Sequence, residues 1–143
     1  MPVVAVFGSR HGYNPDKIRS VLLKLKNKFD SDLTIVVGDC IGVDETAYRL
    51  CKELGIDVKV FVVRDNPIGY QPEPDDIVTV IGGKIPLRIK YARRTHQVFL
   101  YTYHSNGYFI GFNTSGKGSQ LMISFIKESL SADELKKRMV LFN

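Results

Sequence analysis

The chain is poor in the residues that build disulfide frameworks and metal centres. It has two cysteines in 143 residues, Cys40 and Cys51, separated by eleven positions. That spacing fits neither a CxxC pair nor a dense disulfide scaffold, and both thiols suit a reducing compartment. The acidic group Glu73, Asp75 and Asp76 has no His or Cys near it, so a solvated loop is read there and no metal site. No apolar run approaches the roughly 18 residues of a membrane span. Met1-Pro2-Val3 enters an apolar segment at once, so no signal peptide is expected. The expectation is a cytoplasmic protein with no membrane partner and no cofactor implied by its sequence.

What the chain does contain is enough for one domain, 1–143: 44% of its residues are hydrophobic and 24% charged. A formal net charge of +5 favours anionic partners without separating a nucleotide from a nucleic acid. Most lysines read as solvated helix faces. Lys17, Lys24 and Lys28 fall on the polar side of a first helix, and Lys136, Lys137 and Arg138 close a last one, where cations suit the helix C-terminus.

Residues 3–7 are almost wholly apolar, as in a strand covered on both faces, and Gly8-Ser9-Arg10 follows. Asn14-Pro15 supplies a cap and a first helical proline before Ile18, Val21, Leu22, Leu25 and Phe29, which recur at helical spacing. Residues 33–37 predict a second strand running into Gly38-Asp39-Cys40-Ile41-Gly42-Val43-Asp44. There Gly38 and Gly42 allow positive φ or close backbone approach, and Asp44 is read as the N-cap of a helix carrying Ala47, Leu50, Cys51 and Leu54. Such a turn offers backbone N–H groups to an anion. A third strand at 58–62 completes an alternation that implies right-handed crossovers and a parallel sheet, with its ligand crevice beyond the C-terminal strand ends.

Residues 63–83, rich in proline and glycine, read as an irregular lid or linker. Pro86 opens a short helix through Leu87, Arg88, Ile89 and Ala92, and 98–101 predicts a fourth strand. Asn106-Gly107 signals a hairpin that would set Tyr103 opposite Ile110 and Tyr101 opposite Phe112. The aromatics Tyr101, Tyr103, Tyr108 and Phe112 then serve either base stacking or cross-strand packing. Gly116-Lys117-Gly118-Ser119 begins another helix and a third anion-ready start, Ser131 with Glu134 suggests a capping box, and 138–142 adds a fifth strand.

Residues 111–117 match GxxxxGK, the phosphate loop of nucleotide triphosphatases. The match fails where it matters, because Gly118 stands where that loop needs Ser or Thr for Mg²⁺, and no downstream strand ends in Asp.

Four blocks in order, Val4-Ala5-Val6-Phe7-Gly8-Ser9-Arg10, Gly38 to Asp44 with Ala47, Ile85-Pro86-Leu87-Arg88, and Gly118-Ser119, resemble the YspA-related branch of the SLOG superfamily. That superfamily includes the LOG, or lysine decarboxylase-like, phosphoribohydrolases and the Rossmann domain of DprA. The resemblance implies a three-layer Rossmann-like α/β domain with a mainly parallel sheet of about five strands, here with an added hairpin strand. It also implies a homodimer or higher homo-oligomer, and a pocket for a nucleotide-derived ligand of the ADP-ribose or nucleoside phosphate type. Carried over by position, Gly8, Ser9 and Arg10 line one side. Gly38, Gly42, Val43 and Asp44 form the phosphate turn, Arg88 lies over the ligand, and Gly118-Ser119 makes a third wall; Asp39 within the turn, and Gly116 and Lys117 at the same helix start, are added as site candidates from their place in the chain. Arg10 and Arg88 suit phosphate because a guanidinium grips its oxygens in pairs.

The chain departs from the pattern at three positions. Asp39 replaces a glycine and brings a carboxylate toward the phosphate turn, Ile89 replaces an asparagine, and Met122 stands where LOG enzymes carry a glutamate. A thioether takes no proton, so LOG-type hydrolysis is not expected. The leading expectation is therefore nucleotide-ligand binding or sensing. An enzyme using Asp39 or Asp44 as its acid-base group and single-stranded nucleic-acid binding of the DprA kind are the alternatives.

Overall fold

The computed structural model of the protein describes residues 2–143. The chain runs β1 (Val3–Gly8), α1 (Pro15–Phe29), β2 (Thr34–Gly38), α2 (Val43–Leu54), β3 (Asp57–Val63), β4 (Ile77–Ile81), α3 (Leu87–His104), β5 (Tyr108–Phe112), α4 (Lys117–Ser129), α5 (Ala132–Arg138) and β6 (Met139–Phe142). Every strand pairing is parallel, in the order β4-β3-β2-β1-β5-β6. Helices cover both faces, so the central strands are apolar on both sides and read as continuous runs.

Alternation along β1 shows how the layers are held. Val4 and Val6 pack with Ile18 and Leu22 of α1 and Val43, Ala47 and Cys51 of α2. Val3, Ala5 and Phe7 point the other way, into a second core with Val98 and Phe99 of α3 and Met122, Ile123 and Ile126 of α4. Two cores on one sheet make a three-layer α/β domain of Rossmann-like form.

The sequence expectation of that fold class holds, and three of its parts are corrected. Residues 98–101 are helical, within the eighteen residues of α3, and the hairpin with them is absent. Asn106 does take a positive φ of 53°, but it ends the helix, whose Ser105 and Asn106 amides bond back to Tyr101 and Tyr103. The turn chemistry was right and its setting wrong. Tyr101 packs edge-on to Phe61, Tyr103 stacks on Phe99, and Phe112 stacks on Phe142, so none of these rings is a cross-strand pair of that hairpin. The 63–83 segment holds β4, entered through a short 3-10 turn, Pro74–Asp76. In that turn Asp76 accepts from Tyr48 and Lys52, while Glu73 pairs with Lys52 at 3.1 Å, so its acidic residues tie the β4 approach to α2.

Predicted caps are present at Asn14, whose side chain accepts from the Asp16 amide at 2.9 Å, and at Ser131, which accepts from Glu134. Among the described residues no helix is long and apolar enough to cross a membrane.

Candidate functional site

The chain steps outward from β1 through β2 and β3 to β4, then returns along α3 to place β5 on the other side of β1. The loops after β1 and β5 therefore diverge, leaving a crevice at the C-terminal edge of the sheet. A cavity of about 670 Å³ occupies it. Gly8, Ser9 and Arg10 come to it from β1, Gly38, Cys40 and Asp44 from β2 and the start of α2, and Gly116 to Ser119 from the α4 start. Arg88, Tyr91, Arg94 and Thr95 of α3 form the remaining wall over a floor of Val6, Phe7 and Val98.

Of the thirteen predicted site residues, ten line this cavity: Gly8, Ser9, Arg10, Gly38, Asp44, Arg88, Gly116, Lys117, Gly118 and Ser119. Asp39, Gly42 and Val43 lie behind it. Gly42, with φ of 108°, lets the turn press against the backbone of Ser9 and Arg10, where a Cβ would overlap Arg10 Cα. Val43 is fully buried, and its amide donates to the Ser9 carbonyl at 3.1 Å. The start of α2 is thus tied to the β1 loop, and its first amide is already used.

Two expectations about aspartates are corrected. Gly42, not Asp44, occupies the N-cap of α2, and Asp44 falls within the first turn with its carboxyl at the cavity wall. Asp39 does not face the phosphate turn. It is 1% exposed, accepts from the Val63 amide at 3.2 Å, and pairs with Arg94 at 2.8 Å. A carboxylate turned inward and neutralised no longer opposes an anion in the cavity.

Arg94 is the residue that pattern reading missed. Its guanidinium also meets Cys40 Sγ at 3.1 Å and lies over the Tyr91 ring at 5.3 Å. Burial works against its charge, yet Cys40, Asp44 and Asp39 together hold it above the usual arginine range. A signal was present in the sequence: Tyr91, Arg94, Val98 and Thr102 share helical phase, placing one cation in an otherwise apolar or neutral stripe.

Asp44 is half-buried, and burial raises its carboxyl to about 7, with Asp39 adding to the rise while Arg94 and the Cys40 backbone oppose it. A Cβ at Gly38 would stand 2.9 Å from both Asp44 Oδ2 and Arg94 Nε, so only glycine lets these groups close over the end of β2. Tyr70 anchors the same point, donating to the Gly38 carbonyl at 2.7 Å; burial first, then Asp44 and Asp39, push its hydroxyl far above the ordinary tyrosine range.

At the opposite wall, α4 begins after Gly116 with no side chain capping it. Ser119, in its first turn, is 5% exposed, and its Oγ is buried without a hydrogen-bond partner. Unpaired amides and a hydroxyl at the positive end of a thirteen-residue helix form the anion-ready part of the cavity. Among the described residues no cluster of three His, Cys, Asp or Glu is placed to hold a metal.

Fold and crevice together define a Rossmann-like α/β domain whose cavity opens at the switch point of its sheet. Among solved structures it is similar to DNA processing protein A (DprA) from Streptococcus pneumoniae, with a TM-score of 0.64 and 18% sequence identity. The match covers 98% of this chain and 58% of that one, so the likeness is one of fold over part of the larger protein. No protein-family model and no curated protein matches the sequence.

Proposed function

We propose that this cavity binds a nucleotide or nucleotide-derived ligand of the ADP-ribose or nucleoside phosphate type, its phosphate against the α4 start. Ser119 carries the reading: in the cavity-lining first turn of α4 a buried hydroxyl without a partner costs about 1–3 kcal/mol, and a ligand that accepts from it would relieve that cost. The surrounding groups fit. Arg10, Arg88 and Lys117 are exposed cations at the rim, while the apolar wall of Val98, Leu121 and Met122 suits a base or sugar face. Membership of the SLOG superfamily, in its YspA-related branch, belongs to the same reading, as do a single cytoplasmic domain and a homo-oligomer.

Calorimetric titration with AMP and ADP-ribose tests it. Binding at micromolar to low millimolar affinity that is lost with Arg10→Ala supports the site, and no heat from either ligand at millimolar concentration overturns it.

Two other readings each have one observation in favour. Asp44, whose carboxyl takes and gives a proton near neutrality, suits an acid-base role on an N-glycosidic bond; Asp39, locked to Arg94, does not. Release of free base from a nucleoside phosphate, abolished by Asp44→Asn, would establish that enzyme. The similarity to DNA processing protein A, with the +5 charge, supports single-stranded nucleic-acid binding, read out as salt-dependent retention of an oligonucleotide.

A further inference from the structure

Beside the main cavity, the outer surface of α3 and α4 forms an open groove of about 470 Å³, lined by Arg88, Ile89, Ala92, Arg93, His96 and Phe125. Arg88 and Ala92 line both, so the two spaces adjoin over one turn of α3. The groove has a distinct chemistry. Its wall is aromatic, with the His96 and Phe125 rings 4.8 Å apart, its floor is aliphatic, and its rim carries two arginines and no carboxylate.

We propose that the groove is a second subsite, taking the distal aromatic base of a dinucleotide whose first nucleoside phosphate occupies the main cavity. The inference rests on the nucleotide reading of that cavity. Charge complementarity and adjacency select the occupant. A linking pyrophosphate would pass Arg88, which lines both spaces, with Arg93 also lining the groove to meet its charge. The second base would then lie on the Phe125 and His96 rings, since every base has a π-face and stacking needs no matched hydrogen bonds.

The probes are AMP, which engages the main cavity alone, and diadenosine pyrophosphate, which spans both spaces. The expected result is that the dinucleotide binds about tenfold more tightly than AMP. Phe125→Leu, which keeps apolar packing but removes the ring, and Arg93→Ser, at an exposed position, should each reduce that ratio severalfold and leave AMP affinity unchanged. Equal affinities for the two probes, or variants that weaken both alike, overturn the subsite and leave the main cavity standing. Failure of both probes to bind overturns the cavity reading as well. Two further outcomes refute the small-ligand assignment: a single-stranded decanucleotide that binds more tightly than the dinucleotide through the same residues, or a dimer that Arg93→Ser converts to monomer.

Discussion

Arg94 and Asp39, 55 residues apart, form an ion pair of 2.8 Å that is almost entirely withdrawn from solvent and joins α3 to the end of β2. Removing one partner strands a buried charge, which costs about 3–5 kcal/mol, whereas an apolar pair of similar volume is far better tolerated. Asp39→Ala should therefore lower the unfolding free energy by about 3–5 kcal/mol in urea titration. Asp39→Leu combined with Arg94→Met should recover most of the loss, and a double variant as unstable as the single one would contradict this account.

Asp44 gives the fold a pH dependence of defined sign. Its folded carboxyl lies near 7, above its ordinary value of 3.8, so the native state favours the protonated form. Its contribution is fully present below about pH 4 and is lost as pH rises through 7. Asp44→Asn should leave stability unchanged at pH 4 and raise it by up to about 4 kcal/mol at pH 8, as followed by thermal melts. The same charge repels an anion, so affinity for ADP-ribose, whose diphosphate is ionised throughout this range, should fall between pH 6 and 8 in the native protein and stay flat in the variant.

Ser119→Ala separates a ligand-binding role from a packing role. Deleting an unpartnered buried hydroxyl should hold or slightly raise stability, by up to about 1 kcal/mol, because nothing in the protein loses a partner. AMP affinity should fall by roughly tenfold through loss of a charge-assisted hydrogen bond. A destabilised protein with unchanged affinity would refute the assignment.

The two thiols should differ sharply in reactivity. Cys40 lines the cavity beside Arg94, while Cys51 is fully buried in the α2 core, and burial pushes its thiol up to about 12. Mass spectrometry after brief maleimide treatment should find one adduct, on Cys40, and AMP should slow its formation. Labelling of Cys51 in the folded protein would be incompatible with this packing.

How far the sequence foretold these features depended on whether the relevant signal was local. The strands beginning at Val3, Thr34 and Asp57 were legible because each is a mostly apolar run between turn residues, and α1 because Asn14-Pro15 marks its start. Ile77 to Ile81 is equally apolar but lies among prolines and glycines, which obscured β4. Val98 to Tyr101 has the residues of a strand and is followed by Asn-Gly, yet packing Val98, Phe99 and Thr102 onto the sheet makes it helix, so tertiary context overrode propensity. Nine cavity residues were found from glycine-bearing turns at strand ends, and Arg88 from the resemblance of the segment Ile85 to Arg88 to a family pattern. Arg94 and Tyr91 were not, because a helix in mid-chain carries no turn signature.

The pairing of Val4 with Tyr108 has a consequence for how the domain is assembled. The middle of the sheet joins segments about a hundred residues apart, so that seam closes only after all the intervening chain is in place. The crevice sits on the same seam. A chain stopped before β5 would lack both the neighbour of β1 and the α4 wall, and ligand binding should emerge as one of the last events of folding.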